Sequence, residues 1–284
     1  MNSLYLLLGA ATVGGGFLSG NRFFSTAASA EGVFHDVEID FAHELADGEM
    51  KELKVGPKDE DKVLISRIRG QIYAVGNYCS HFGAPLSTGL LFDDKVLCPW
   101  HLAAFSVTTG ALEHAPGLDG LPTFKVVEKD GKHFVQIPEV LPRTEQAPLA
   151  KRDPSNPTRY VIIGGGPAGQ QCAETLRQSD FTGEVVVITA EGVSAYDRTL
   201  LTKVLGSGDA SKFQLRSADY LQKADIDFKL ATKVESVDTK TKTLKLSDGS
   251  TLTYDKLCIA TGGTPFLPPI PGISLGNVEV LRTA

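Results

Sequence analysis

The chain has 284 residues, 42% of them hydrophobic and 22% charged, with a formal net charge of −6. That length and balance suit about two globular domains with a sizeable core. No block of clustered Lys or Arg occurs, so the electrostatic footprint of a nucleic-acid binder is missing, and the 4 Cys are too few and too scattered for a disulfide framework.

Residues 1–30 hold no Asp or Glu and a single base, Arg22. Leu4 to Leu18 is apolar but too short and Gly-rich for a membrane-spanning helix. Arg22-Phe23-Phe24 followed by Ser25 resembles a mitochondrial processing site, and Ala28 with Ala30 equally resembles a signal-peptidase site. Residues 1–32 are therefore expected to be a disordered targeting leader, with membrane association through this segment as the alternative.

From 33 to 137 the pattern predicts a small all-β domain of short strands. Val63–Arg69, a turn at Gly70, and Gln71–Val75 read as a hairpin. Phe124–Glu128 and His133–Ile137 read as a second hairpin around Asp130-Gly131. Between them lie Cys79-Ser80-His81 and Cys98-Pro99-Trp100-His101, the latter preceded by the predicted strand Lys95–Leu97. Each half offers one thiolate and one imidazole on a short loop. The spacing resembles the Rieske [2Fe–2S] frame, in which Cys79 and Cys98 would hold one iron and His81 and His101 the other. A structural zinc site with the same ligands is the alternative. His35, His43, His114 and His133 have no ligand spacing and read as surface or loop residues; Cys172 and Cys258 read as buried thiols on a helix and a strand.

Residues 138–158 carry Pro138, Pro142, Pro148, Pro154 and Pro157 in polar company and are expected to be a semi-extended linker. From 159 to 284 the period changes. Tyr160–Ile163 is a continuous apolar strand of the parallel type, and Gly164-x-Gly166-Pro167-Ala168-Gly169 follows at once, opening a helix to Leu176. Glu191 closes the next strand, Glu184–Ile188, at the distance from which a carboxylate accepts from ribose hydroxyls. The glycines permit a tight turn and close approach of a diphosphate to the free N–H groups of the helix start. Phe228–Leu230, Lys233–Val237, Lys242–Leu246 and Thr251–Tyr254 read as an antiparallel meander, and Lys256–Ala260 as a buried strand running into Thr261-Gly262.

Tyr196-Asp197-Arg198 through Lys203, together with Ala260-Thr261-Gly262, resembles the flavin half of pyridine nucleotide–disulfide and ferredoxin-reductase-type enzymes. That resemblance implies FAD, with Arg198 and Lys203 along the cofactor and Thr261-Gly262 closing over it. The whole order of elements resembles the Rieske-containing, apoptosis-inducing-factor-like flavoproteins. The resemblance implies a multi-domain chain: an all-β Rieske domain followed by an α/β, Rossmann-like FAD-binding domain of the glutathione-reductase type. It also implies mitochondrial location, a link to cell death and NAD(P)H oxidation through FAD, with electrons passing to the cluster and to an acceptor the sequence does not name. No nucleophile–base set calls for another reaction class, so no catalytic side chain is assigned.

Members of that family continue into a second nucleotide fold and then complete the flavin domain. Only one dinucleotide fingerprint is present here, so the flavin domain is expected to be incomplete and NAD(P)H to be a substrate only of a longer form. A non-enzymatic cell-death or interaction protein with structural cofactor domains is the competing reading. Respiratory-type Rieske loops also carry a disulfide, where this chain has Ala84 and Trp100, and hydroxyl donors, where it has Ala103 and Phe105; their loss predicts a low-potential centre. Leu102 replaces the usual small Gly after the second His and predicts a differently shaped loop.

Overall fold

A computed structural model describes residues 33–203 and 209–283; the expected leader at 1–32 lies outside the described residues. The chain divides into two units after Glu145. Among the described residues no helix is long and apolar enough to cross a membrane.

The first unit is built from β1 (Phe34–Glu38), β2 (Met50–Lys54), β3 (Lys62–Ile68), β4 (Gln71–Gly76), β5 (Leu90–Phe92), β6 (Lys95–Leu97), β7 (Ala104–Ser106), β8 (Leu112–His114), β9 (Thr123–Phe124), β10 (Val126–Lys129) and β11 (Lys132–Pro138). They pair antiparallel in three small sheets, ordered β1-β11-β10, β2-β3-β4-β9 and β5-β6-β7-β8. Both expected hairpins form. Arg69 and Gly70 turn the first, and Asp130 and Gly131 the second, all with positive φ, as a two-residue turn matched to strand twist requires. Lys125 breaks the second hairpin's first strand, so β9 joins the β4 sheet while β10 stays with β11. Alternate residues of β3 serve two cores: Leu64 and Ile68 face one that contains Cys79 and Cys98, while Val63 and Ile65 face the other.

The second unit contains β12 (Arg159–Ile163), α1 (Pro167–Gln178), β13 (Glu184–Ile188), α2 (Ala218–Lys223), β14 (Ile226–Lys229), β15 (Val234–Asp238), β16 (Thr243–Leu246), β17 (Thr251–Thr253) and β18 (Lys256–Ile259). A parallel sheet runs β14-β13-β12-β18. Ile162, Val185 and Val187 pack with Ala173 of α1 and Leu221 of α2, while Val161, Val186 and Ile188 pack with Leu244 and Leu246 of the antiparallel sheet β15-β16-β17. Burial on both faces explains the unbroken apolar runs.

Several expectations need correcting. The segment at Phe228 does not belong to the meander: β14 joins the parallel sheet, because Ile226 and Phe228 pack with α2 on the helix side. Lys256–Ile259 is the sheet's edge rather than a buried strand, and Ile259 is 68% exposed. Cys172 on α1 and Cys258 on β18 are half-buried rather than buried. The Pro-rich stretch, for its part, makes backbone contacts within each unit. Gly120 and Glu145 exchange backbone hydrogen bonds in the first unit, and Ala150 donates to the Arg177 carbonyl in the second. His35, His114 and His133 lie on strands β1, β8 and β11, while His43 reaches the Gly131 carbonyl from a turn.

Arg177 fastens the second unit. It is fully buried, and its guanidinium donates to the backbone carbonyls of Ala224, Phe181, Gly183 and Asp225 at 2.7–2.8 Å. The end of α1 is thereby tied to both of the loops that return to the sheet.

Candidate cluster frame and cofactor cleft

Two loops of the first unit share one hydrogen-bonding scheme. In the loop after β4, Cys79 N–H donates to the Ala84 carbonyl at 3.0 Å and Gly83 N–H returns to the Cys79 carbonyl at 2.9 Å. In the loop after β6, Cys98 N–H donates to Ala103 at 2.8 Å and Leu102 N–H returns to Cys98 at 3.1 Å. Gly83 and Leu102 take the same left-handed conformation, φ 72° and 61°. The expected change of loop shape at Leu102 therefore does not occur: the turn holds the leucine in the conformation a glycine would adopt, with its side chain 67% exposed.

This scheme presents the four candidate ligands as two pairs. The Cys79 and Cys98 thiols are buried and within hydrogen-bonding reach of each other. The His81 and His101 rings meet edge to face, centroids 4.8 Å apart. Burial pushes the Cys79 thiol up to about 11, even though backbone N–H groups of His81 and Phe82 point at its sulfur; metal binding has to displace that proton. The two thiols and the two imidazoles thus come as one pair each, an arrangement that suits two irons.

Neighbouring groups hold the loops in place. Asn77 is fully buried; its amide donates to Glu52 at 3.2 Å and its oxygen accepts from Ser87 N–H at 3.0 Å. Glu52 also accepts from Lys62 at 2.6 Å and from the Ser87 hydroxyl at 3.0 Å, and the Lys62 bond is the main cause of its carboxyl lying below its ordinary value. A third loop, after β8, closes on the first: the Ser80 hydroxyl donates to the Asp119 carbonyl at 2.7 Å, and a methyl on Gly117 would come within 2.7 Å of that hydroxyl. Nothing in the ligand spacing signals this loop. Ala84, Ala103 and Phe105 are all buried, and none can donate a hydrogen bond from its side chain, whereas Trp100 is 58% exposed.

In the second unit a cleft of about 550 Å³ opens at the carboxyl ends of β12 and β13. Gly164, Gly166, Pro167, Ala168, Glu191, Arg198, Thr261 and Gly262 all line it. Gly169 and Lys203 do not. Gly169 lies beneath, where a methyl would fall 1.9 Å from the Gly164 carbonyl oxygen, so its role is close packing of α1 on β12. The Lys203 ammonium donates to the Thr199 carbonyl at 2.9 Å in the turn after Arg198. Gly164 needs its φ of 111° and the approach of the Ala260 carbonyl. Gly166 is different. Its φ of −83° is open to any residue, and a methyl there would meet nothing closer than Arg198 Nη2 at 4.0 Å. The protein itself does not require glycine at 166; a group lying against the start of α1 would.

Beside the start of α1, Arg198 pairs with Glu191 and donates to the Tyr196 hydroxyl at 2.8 Å, and that hydroxyl donates to Glu191 at 2.6 Å. Burial alone would raise the Glu191 carboxyl, but the Tyr196 hydroxyl and the Arg198 guanidinium outweigh it and hold it below the ordinary carboxylate range. Lys233 and Arg282 also line the cleft. They come from loop segments distant in sequence, and no motif marks them.

Residues 35–125 match the family described as Rieske [2Fe-2S] domain, and residues 158–284 match Pyridine nucleotide-disulphide oxidoreductase. The chain thus joins an all-β domain of the Rieske [2Fe–2S] type to an α/β domain of the FAD-binding, pyridine nucleotide-disulphide oxidoreductase type. Among particular proteins it is similar to human Apoptosis-inducing factor 3, with 35% identity over 247 residues covering 84% of this chain and 40% of that protein. The mouse protein of the same name is 34% identical over 256 residues, 87% of this chain and 42% of that one. The flavin half is also similar to the ferredoxin–NAD(+) reductase subunit of the benzene 1,2-dioxygenase system of Pseudomonas putida, 36% identical over 124 residues, 43% of this chain and 30% of that protein. The chain spans less than half the length of these relatives.

Proposed function

We propose that the chain is the cluster-and-flavin part of an electron-transfer oxidoreductase. In this reading electrons pass from FAD to a low-potential Rieske [2Fe–2S] cluster and then to an acceptor still to be identified, and NAD(P)H feeds the flavin in a longer form of the chain. When bound, FAD takes up two electrons as a hydride equivalent and the cluster takes one at a time. The observation that carries the reading is the presence, on one chain, of a paired Cys/His frame and a cleft whose glycine at 166 answers to a ligand rather than to the fold.

The residues divide the work. Cys79 and Cys98 ligate one iron as thiolates, with His81 and Phe82 N–H groups donating to the Cys79 sulfur. His81 and His101 ligate the other. The start of α1, with Gly164, Gly166, Pro167 and Ala168, receives the cofactor's diphosphate, and Glu191 accepts from its ribose. Arg198 balances the Glu191 charge, while Thr261 and Gly262 line the cleft next to Gly164. Lys203 stands outside this set.

Mitochondrial location and a role in cell death belong to the same proposal. They are supported by the similarity to the Apoptosis-inducing factor 3 proteins and by the acid-free leader. The test is iron and acid-labile sulfide analysis with EPR on the reduced protein, followed by NADH:ferricyanide reductase activity of this chain and of a longer form. Matching iron and sulfide with a reduced-state signal, and activity in the longer form, are expected. Zinc, or iron without sulfide, overturns the cluster assignment, and absence of activity in both forms overturns the enzymatic one.

A further inference from the structure

The second unit holds a pair of thiols that the electron-transfer reading does not use. Cys258 on β18 stands in register with Ile162 of β12, so both side chains project to the face that carries the helices. A methyl on Gly169 would touch Ile162 Cγ2 at 3.4 Å, which places that face of α1 directly on Ile162. Cys172 lies one helical turn further along the same face. Both cysteines pack against the same apolar cluster, with Cys258 near enough to Cys172 to perturb its thiol. Unlike Cys79 and Cys98, both are half-exposed, and Cys172 opens onto a shallow groove along α1 beside Ala168, Thr175 and Leu176. A small oxidant can therefore reach the pair.

The elements that carry the pair also border the cleft, which gives it a consequence. α1 carries the Gly166–Ala168 wall at its start, and β18 runs directly into the Thr261-Gly262 wall. We propose that Cys172 and Cys258 form a reversible disulfide that ties the two walls of the cofactor cleft together and slows release of FAD. The oxidant is a hydroperoxide. One thiol sulfur attacks the peroxide, forming an S–O bond as the O–O bond breaks and releasing water from hydrogen peroxide. The second thiol then attacks that sulfur, forming the S–S bond and releasing a second water. Two electrons pass from sulfur to the peroxide oxygens, and both thiol protons end in water. A dithiol reductant reverses the step by exchange.

Burial pushes the Cys172 thiol up to about 11, so at neutral pH the pair rests reduced and reacts slowly. The oxidation rate rises with pH through the neutral and alkaline range, because the thiolate is the attacking form.

The clamp rests on the cleft holding FAD, but formation of the bond does not, and the two are read separately. The cluster- and FAD-loaded chain is treated with hydrogen peroxide, digested without reduction and mapped by mass spectrometry, while FAD release is followed by fluorescence before and after treatment and after dithiothreitol. The expected result is a Cys172–Cys258 linked peptide, FAD release slowed several-fold, and recovery on reduction. Cys172→Ser and Cys258→Ala each abolish both effects while still binding FAD. No linked peptide, a link involving other cysteines, or slowed release that persists in either variant overturns the proposal. A linked peptide with unchanged FAD release overturns the clamp, and a linked peptide in a chain that never binds FAD faults the cofactor reading instead.

Discussion

Gly166 and Gly169 separate what the fold requires from what the cofactor requires, and alanine at each position gives opposite results. At Gly166, the residue capping α1, alanine fits the φ of −83° and meets no atom closer than 4.0 Å. Alanine caps a helix less well than glycine by roughly 0.5–1 kcal/mol, and loss of glycine's freedom in the unfolded chain returns about 0.4–1 kcal/mol. The two nearly cancel, so the cofactor-free protein should melt within about 2 °C of the parent. The methyl does stand where a diphosphate must approach the N–H groups of the helix start. Displacing one charge-assisted hydrogen bond costs about 1.5–3 kcal/mol, or about 10- to 150-fold in FAD affinity. At Gly169 the methyl would fall 1.9 Å from the Gly164 oxygen, so α1 must lift off β12. That overpacking costs about 1–3 kcal/mol of stability with or without cofactor. FAD affinity by fluorescence quenching and thermal unfolding of the cofactor-free protein give both readouts. Gly166→Ala binding FAD like the parent, or melting as low as Gly169→Ala, refutes the reasoning.

Other expectations follow from the remaining contacts. Ala103→Ser introduces a hydroxyl where the cluster loop has none, and one hydrogen bond of about 1.5–3 kcal/mol to the reduced centre raises its midpoint by roughly 60–130 mV. By voltammetry the parent should lie in the lower part of the range of about −150 to +300 mV, and a midpoint near the top contradicts the low-potential reading. Leu102→Gly relieves a left-handed leucine worth about 1–2 kcal/mol but adds about 0.5–1 kcal/mol of chain entropy, so a net gain of up to about 1.5 kcal/mol is expected in denaturant unfolding. Arg177→Met strips the donor from the carbonyls of Ala224, Phe181, Gly183 and Asp225 and should cost about 3–5 kcal/mol by the same measurement. The Glu52 carboxyl is held below its ordinary value chiefly by Lys62, so its stabilisation is present above the unfolded carboxylate range and is lost as pH falls through the lowered value. Acid titration followed by visible absorbance should show cluster loss on that descent, and Glu52→Gln should lose the cluster at a higher pH.

The parts of the molecule legible in the sequence are those whose physics is local. Cys79 with His81, and Cys98 with His101, announce themselves because each ligand pair sits on one short loop. Asp130-Gly131 and Arg69-Gly70 fix their hairpins through two residues each. Gly164 to Gly169 is likewise a strand end, a turn and a helix start in a single stretch. Contacts assembled from distant segments were not legible. The Ser80–Asp119 bond, and Lys233 and Arg282 at the cleft, exist only once the chain has folded. Phe228 fits a meander or a parallel sheet equally well by its alternation, and only the apolar side of α2 decides between them. Lys256–Ile259 reads as a buried run because its side chains are apolar, but burial depends on having a neighbour on both sides, and among the described residues β18 has one.

Leu102 shows how the frame overrides a residue's own preference. A leucine disfavours positive φ by about 1–2 kcal/mol. Against it stand the Leu102 N–H to Cys98 carbonyl bond at 3.1 Å and the Cys98 N–H to Ala103 carbonyl bond at 2.8 Å, each closing one side of the same turn. The Cys98 and Ala103 groups are buried, so breaking the turn would leave a backbone donor and acceptor without water, at about 1–3 kcal/mol each. The turn therefore prevails and the leucine is carried into strain. Because Gly83 meets the same scheme without strain, the two ligand loops keep matching backbones although their sequences differ at the position where the conformation is hardest to adopt. It is the buried backbone hydrogen bonds, more than the identity of residue 102, that hold His101 opposite His81.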